Sequence, residues 1–151
     1  MQLSIVHSTE DKNLSILKTL FIYILTALIF LAIDSLWLGV LAKDLYATNL
    51  GPIIPLTLYL PGAIAFYLTY IGGILYFSLL PAIKVKSPEV ALRKGAILGG
   101  LCYAVYDLTN LATIEGWPVN VVFYDLLWGI FITGSTSFLT FHIGRRLGLI
   151  L

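Results

Sequence analysis

Four long apolar blocks, separated by short polar segments, dominate the pattern of the sequence. They cover residues 18–42, 57–81, 91–113 and 119–141. Each is long enough to cross a membrane, because a helix needs about 20 apolar residues to span the hydrocarbon core. The pattern therefore predicts an all-α, polytopic membrane protein whose domain of four spanning helices, residues 18–141, forms a bundle. Residues 1–17 and 142–151 are expected to be tails.

Two of the polar segments carry clear helix boundary signals. Ser87 is typical of an N-cap residue, and Pro88 suits the first position of the helix that follows. The last connection is only Glu115-Gly116-Trp117-Pro118, in which Gly116 is suited to end one helix and Pro118 to begin the next. So short a connection makes the third and fourth helices antiparallel neighbours.

The basic residues are distributed unevenly between the two sides of a four-span arrangement. Eight of the nine fall on the side of the two chain ends: Lys12, Lys18, Lys84, Lys86, Arg93, Lys94, Arg145 and Arg146. Only Lys43 lies on the opposite side. Basic loops are retained in the cytoplasm, so both termini are predicted to be cytoplasmic, in the cell's inner membrane. We interpret the first block as an uncleaved span, because it is longer than the ~7 to 15 residues of a signal peptide core.

Composition supports a lipid environment and narrows the possible partners. Hydrophobic residues make up 59% of the chain and charged residues 11%, with a mean hydropathy of +0.95, whereas soluble domains carry about 25% charged residues. A net charge of +1 gives no reason to expect a nucleic-acid partner. The single cysteine, Cys102, excludes an internal disulfide and is expected to be an inert thiol within a helix.

Small residues recur within the last three apolar blocks, where they would let helices approach closely. These are Gly72, Gly73, Gly95, Gly99, Gly100, Gly129 and Gly134. We expect them to serve helix packing. Four spans shield few side chains from lipid, so a homo-oligomer is also a plausible arrangement.

Three aspartates lie inside the apolar blocks: Asp34, Asp107 and Asp125. Each costs roughly 2.5 to 3.5 kcal/mol near the bilayer centre unless it is neutralised or sheltered. Asp107 and Asp125 each lie nine residues from Gly116, or about 13 Å along a helix, and Asp34 lies eight residues before Ala42, or about 12 Å. All three are therefore predicted in the outer half of the membrane, where they would form one cluster.

Polar and aromatic residues accompany each aspartate at helical spacing. Trp37, Asn110 and Trp128 follow the three aspartates by one turn, and the hydroxyl groups of Tyr103, Tyr106 and Tyr124 are close enough in sequence to reach the carboxylates. The candidate binding site therefore comprises Asp34, Trp37, Tyr103, Tyr106, Asp107, Asn110, Tyr124, Asp125 and Trp128. Trp37 and Trp117 are alternatively expected in an outer aromatic belt.

No basic residue occurs at the depth of the aspartates, so we expect one or more of them to hold a proton near neutral pH or to share a bound cation. Oxygen ligands from Asp34, Asp107, Asp125 and Asn110 would suit sodium, magnesium, calcium or manganese. No other cofactor is indicated. The alternative is a protonated, hydrogen-bonded network that only holds the helices together.

Four motifs resemble the bacterial membrane protein family called domain of unknown function 2177. They are Asp34-Ser35-Leu36-Trp37-Leu38-Gly39, Tyr106-Asp107-Leu108-Thr109-Asn110-Leu111-Ala112-Thr113, Gly116-Trp117-Pro118 and Asp125-Leu126-Leu127-Trp128-Gly129. The resemblance extends over nearly the whole chain, from about Leu17 to Phe141. It implies a four-span protein of unassigned activity, and no residue role can be carried over from it.

Three functions remain open from the sequence. The first is transport or permeation of a cation, proton or small solute through the acidic site. The second is a structural, assembly or accessory subunit that contains a neutral aspartate network. The third is an intramembrane enzyme with paired carboxylates, although the Gly-x-Gly-Asp element of membrane aspartyl proteases is missing.

Overall fold

The computed structural model of the protein describes residues 2–53 and 57–150, with the backbone alone for residues 2–15. All regular secondary structure in these ranges is helical. This confirms the all-α class. Met1 of the expected N-terminal tail and Leu151 of the expected C-terminal tail lie outside the described residues.

Six α-helices and two π-helical turns follow one another along the described chain. They are α1 (Gln2–Leu36), a π-helical turn (Trp37–Leu41), α2 (Lys43–Asn49), α3 (Leu60–Gly73), a second π-helical turn (Ile74–Leu79), α4 (Leu80–Val85), α5 (Pro88–Thr113) and α6 (Val119–Arg146). The first turn continues α1, and the second joins α3 to α4.

Three helical segments are long and apolar enough to cross a membrane: Ile16–Leu41, Leu60–Val85 and Val119–Arg146. Helix α5 has 26 residues, but polar residues such as Arg93, Lys94, Asp107 and Asn110 make it less apolar than those three. The described chain is thus helical over nearly all of the predicted blocks, and three of its segments meet the requirements of a span by length and composition.

The pair α5 and α6 forms the most extensive helix interface of the described chain. A Cβ atom on Gly99 would collide with the carbonyl group of Gly129 and the hydroxyl of Thr133, and one on Gly95 would collide with Ser137. Only glycine permits so close an approach. The prediction of close packing is confirmed for these glycines.

The remaining glycines give a mixed result. Gly100 and Gly134 face Ile130 and Ala96 across the α5–α6 interface. A Cβ atom on Gly72 or Gly73 would meet no atom within 4 Å among the described residues. The packing prediction is therefore wrong for these two, because no described atom of a neighbouring helix approaches them closely.

The helix boundaries agree with the sequence signals at Ser87 and Pro88 and differ at Gly116 and Pro118. The Ser87 hydroxyl accepts a hydrogen bond from the Val90 amide at 3.2 Å, and Pro88 is the first residue of α5. Helix α5 ends at Thr113, so Gly116 does not end it; Gly116 lies in the turn that follows, with a φ of 80° that suits a residue without a Cβ atom. Pro118 is the N-cap of α6 and not its first residue, because its ψ of 120° is extended.

The two ends of the bundle differ in how the helices meet. We call them the Ser87 end, which holds the α4–α5 connection, and the Gly116 end, which holds the α5–α6 connection. At the Ser87 end, α5 packs on α4 and on the second π-helical turn, where the Ser78 hydroxyl donates to the Ala91 carbonyl at 2.8 Å. Toward the Gly116 end, α3 packs on α1 instead, and a gap opens between α3 and α5.

Helix α2 covers the Gly116 end. An apolar cluster of Leu50, Trp117, Val121 and Val122 holds this helix against the start of α6. The Asn120 side-chain amide also donates to the Asn49 side-chain oxygen at 3.0 Å. These contacts bring Tyr46 of α2 over α6.

Candidate functional site

Asp125 on α6 is 6% exposed and accepts a hydrogen bond at Oδ1 from the Tyr46 hydroxyl, with an O–O distance of 2.5 Å. The same hydroxyl accepts a hydrogen bond from Trp37 Nε1 at 3.0 Å. The contact therefore joins the end of α1, the short helix α2 and α6. A hydrogen bond to an ionised oxygen is stronger than one to a neutral oxygen. The hydrogen bond from Tyr46 therefore stabilises a negative charge on Asp125.

Tyr46 lies between two candidate spans, and its surroundings favour the neutral phenol. Burial raises the pKa of Tyr46 above its ordinary value of 10.0, and the hydrogen bond to Asp125 raises it further. The group thus remains a hydrogen-bond donor at every physiological pH.

The two tryptophans expected beside the aspartates stack on each other. The rings of Trp37 and Trp128 lie 4.3 Å apart between centroids, with an angle of 8° between their planes. Trp117 is 5% exposed and packs in the cluster that holds α2. Trp117 thus packs inside the protein and Trp37 is partly buried, while their place in an outer aromatic belt stays a prediction.

Asp34 on α1 is 5% exposed and is satisfied by a different helix. Its Oδ2 atom accepts a hydrogen bond from the Tyr67 hydroxyl of α3 at 2.7 Å. The Trp128 indole N–H lies beside the same carboxylate without completing a hydrogen bond of ordinary geometry. Asp34 therefore connects α1 to α3 and lies against the tryptophan stack.

Asp107 on α5 is 0% exposed, and neither of its oxygens has a hydrogen-bond partner among the described residues. The Trp117 indole N–H lies nearby but is also without a full hydrogen bond in that part of the chain. Asp125 is close enough for charge repulsion with Asp107. An unsatisfied buried carboxyl group is costly, so Asp107 is the least stable element of the site.

The three aspartates do not form the single ligand set that we expected for a cation. Among the described residues, no group of three or more Asp, Glu, His or Cys side chains is close enough to hold a metal ion. Asp34 accepts from Tyr67 of α3 and Asp125 accepts from Tyr46 of α2, whereas Asp107 has no hydrogen-bond partner among the described residues. The three carboxylates, on three helices, are therefore held by different surroundings.

The remaining residues of the candidate site differ in their positions. Tyr103 packs its ring on Gly129. Tyr106 is 55% exposed, sits edge-on to Trp117 and lies beside the Asn110 side chain. Tyr124 is 48% exposed and contacts the Phe123 ring. Its expected contact with a carboxylate is not formed, because residues adjacent in a helix point in different directions.

A cavity of about 290 Å³ occupies the gap between α3 and α5. It is lined by Phe66, Tyr70, Cys102, Tyr103, Tyr106 and Asp125. Asp125 comes from α6 and forms the base of the cavity. Cys102, expected to be an inert thiol, is half-buried in its wall.

Buried hydroxyl groups continue along α6 from the cavity toward the Ser87 end. The Tyr70 and Thr133 hydroxyls are hydrogen-bonded at 2.8 Å, and the Ser137 hydroxyl donates to the Thr133 carbonyl at 2.8 Å. Thr136 and Thr140 are also buried, and their hydroxyls have no hydrogen-bond partner among the described residues. The interior of the bundle is therefore polar well beyond the aspartates.

The tyrosines whose hydroxyls bond to buried polar side chains were not predicted from the sequence. Tyr67 and Tyr70 lie three residues apart in an apolar block, which was a usable sign of buried hydroxyl groups on one helix face. Tyr46 gave no comparable signal, because it lies in a connection and reaches Asp125 across 79 positions of sequence.

Comparison with known proteins gives one match. The model of a family described as "Predicted membrane protein (DUF2177)" matches residues 19–142. No curated protein and no solved structure matches this chain.

Proposed function

Because the chain belongs to the DUF2177 family of predicted membrane proteins, we propose that it is a four-span protein that transports a proton, cation or small solute through the acidic cavity. Family membership gives the membrane setting. The number of spans, the orientation and the activity are proposed.

The fourth span of the proposal is α5. It has 26 residues and packs along α6, which is itself a candidate span. Its exposed face carries large apolar side chains at helical spacing, namely Ile97, Leu101, Val105 and Leu108, each more than half exposed. Such a face suits lipid, while Asp107 points inward.

The distribution of basic residues supports an orientation with both termini in the cytoplasm of a bacterial cell. Lys84, Lys86, Arg93 and Lys94 surround the α4–α5 connection, and Arg145 and Arg146 form the last turn of α6. By the retention of positive charge in the cytoplasm, the Ser87 end faces inward. The Gly116 end and its cavity then lie in the outer half of the membrane.

The observation that carries the transport proposal is the buried Asp125 carboxylate in the lining of a cavity, with the unsatisfied Asp107 within range of charge repulsion. Intramembrane carboxylates of this kind mark ion pathways and proton relays. Repulsion between two carboxylates favours a proton on one of them. Arrival of a cation at Asp125 would then displace that proton, which is the basis for coupled movement.

The test is flux through the purified protein in sealed liposomes. A proton or sodium gradient is applied, and internal pH is followed with an entrapped dye. We expect the Asp125→Asn and Asp107→Asn variants to lower the flux at least tenfold. Asp34→Asn is the matched control, since it makes the same change at a carboxylate outside the cavity, and it should retain most of the flux.

Flux equal to that of empty liposomes for protons, sodium and potassium would contradict transport of a proton or of these cations. Equal flux in the Asp125→Asn variant would contradict the role of the cavity. Circular dichroism and size-exclusion profiles of each variant separate loss of flux from loss of fold.

A second candidate function is a structural or accessory subunit. It is favoured by the satisfied contacts of Tyr67 with Asp34 and of Tyr46 with Asp125, which link helices without requiring a solute. In that case thermal stability would not respond to sodium, magnesium, calcium or manganese, and asparagine at all three positions would be tolerated. A cation-specific rise in unfolding temperature that disappears in Asp125→Asn would exclude it.

A further inference from the structure

The cavity between α3 and α5 combines four aromatic rings with one carboxylate. Phe66 and Tyr70 come from α3, and Tyr103 and Tyr106 come from α5. Asp125, at the base, is the only acidic or basic side chain among the lining residues of this cavity. The chemistry of the wall is therefore that of π faces around a single negative group.

This combination favours a particular class of cation. The faces of aromatic rings attract cations, and cages of such rings recognise quaternary ammonium groups. Protein sites for hard metal ions gather several carboxylate and carbonyl oxygens and complete the shell with water, whereas this cavity offers a single carboxylate and a mostly aromatic wall. An ammonium ion with alkyl substituents satisfies both the rings and the carboxylate.

The lining residues differ in exposure, which distinguishes the mouth of the cavity from its base. Phe66 and Tyr106 are 47% and 55% exposed and lie at its mouth, whereas Asp125 is 6% exposed. A ligand therefore passes the rings before it reaches the carboxylate. The Tyr46 hydroxyl holds the other side of Asp125 and stabilises its negative charge.

The size of the cavity limits the ligand. Its volume of about 290 Å³ lies just below the roughly 300 to 1,000 Å³ found for small-molecule pockets. There is room for a compact ion with methyl or short hydroxyalkyl groups. Large planar dyes would not fit.

We propose that this cavity binds a small organic ammonium ion, with its charge on Asp125 and its alkyl groups against Tyr70, Tyr103 and Tyr106. The inference rests on the proposed transport function and names the substrate class of the same site. Binding at equilibrium and movement across the membrane are separate measurements, so each can fail alone.

The experiment measures binding by calorimetry to the full-length protein in lipid nanodiscs. The probes are choline, tetramethylammonium and 3,3-dimethylbutan-1-ol, in which a neutral carbon replaces the choline nitrogen without changing the shape. We expect choline and tetramethylammonium to bind with at least tenfold higher affinity than the neutral alcohol.

The variants form two matched pairs. Asp125→Asn should weaken choline binding at least tenfold, whereas Asp34→Asn should leave it within twofold. Tyr106→Leu should weaken binding about threefold, the size of one cation–π contact at a partly exposed site. Tyr124→Leu removes an equally exposed tyrosine that also precedes an aspartate but lies outside the cavity, and it should have no effect.

Equal affinities for choline and the neutral alcohol would overturn the inference, as would absence of choline binding to a protein that still carries proton or sodium flux. In that second case the proposed transport function would stand without this substrate class. Choline binding that depends on Asp125 and Tyr106, in a protein without any flux, would support the ammonium site and contradict transport. Loss of fold in Asp125→Asn leaves the neutral alcohol and Tyr106→Leu as the deciding comparisons.

Discussion

The two ends of the bundle differ in how closely their helices pack and in which polar residues they enclose. Toward the Ser87 end, Gly95 and Gly99 bring α5 so close to α6 that a methyl group does not fit between them. Toward the Gly116 end, α5 and α3 separate, and aromatic rings line the gap. Close helix spacing leaves room for hydroxyl groups alone, whereas wide spacing leaves room for a ligand. Helix separation therefore decides which polar residues become a site.

The polar groups of the two ends also differ in cost. The hydroxyls of Ser78 and Ser137 donate to backbone carbonyls, which is an inexpensive way to bury them. Asp107 at the other end is enclosed, and its oxygens have no partner among the described residues. A residue that lowers stability in this way is characteristic of a functional site. The Thr136 and Thr140 hydroxyls toward the Ser87 end are also without a partner among the described residues, so the two ends differ in whether the unsatisfied group is a hydroxyl or a carboxyl group.

The largest expected effect lies in the tight region. Gly99→Ala places a methyl group against the Gly129 carbonyl and the Thr133 hydroxyl, and we expect it to lower the free energy of unfolding by about 3 kcal/mol or more. Gly73→Ala is the control, because its methyl group meets no described atom within 4 Å, and it should change stability by less than about 1 kcal/mol. Thermal unfolding in detergent measures both. Equal losses would mean that the two regions do not differ in packing.

An intermediate effect is expected at Tyr46. Tyr46→Phe removes the donor to Asp125 and the acceptor of Trp37, and it should lower the free energy of unfolding by about 1 to 2 kcal/mol. Tyr76→Phe is the control, since Tyr76 is 66% exposed. Chemical denaturation of both variants at pH 7 tests this. A loss in Tyr76→Phe as large as that in Tyr46→Phe would contradict the prediction.

The same residue predicts a pH dependence. Burial and the contact with Asp125 raise the pKa of Tyr46 above 10.0, so the folded protein holds this proton more tightly than the unfolded chain does. Its contribution to stability is complete below about pH 10 and is lost as the pH rises toward the higher folded value. Unfolding temperatures measured from pH 8 to 11 should therefore fall more steeply for the wild type than for Tyr46→Phe. Parallel curves would exclude this linkage.

The smallest expected effect is a gain. Asp107→Asn replaces an unsatisfied carboxyl group by a neutral amide, which relieves its repulsion with Asp125. We expect an increase of about 1 kcal/mol in the free energy of unfolding at pH 7. Asp34→Asn, which alters the acceptor of the Tyr67 hydrogen bond, should give no increase. A clear loss of stability in Asp107→Asn would show that this carboxyl group holds the fold together.

The sequence predicted the helices and the polar residues inside them better than the contacts between helices. Apolar block length and the Ser87-Pro88 signal are local properties, and they located α5 correctly. The depth of Asp34 along its helix was also a local property. The direction in which it faces depends on how α1 packs on α3, and Tyr67 became its partner for that reason. No count of residues along one helix contains that information.

The glycines illustrate the same limit. Gly72-Gly73 and Gly99-Gly100 are alike as dipeptides in apolar blocks. The first pair meets no described neighbour, and Gly99 of the second meets a backbone carbonyl. The difference comes from the neighbouring helix, which a single sequence does not specify.

The contact of Trp37, Tyr46 and Asp125 has a fixed polarity. An indole N–H can only donate, so the Tyr46 oxygen is an acceptor toward Trp37, and its own hydrogen points to Oδ1 of Asp125. A proton on Oδ1 would make that oxygen a weaker acceptor for the phenol hydrogen, whereas a proton on Oδ2 leaves the hydrogen bond from Tyr46 in place. A proton that Asp125 takes up is therefore favoured on Oδ2. The indole donor of Trp37, acting through Tyr46, thus distinguishes the two carboxylate oxygens of Asp125.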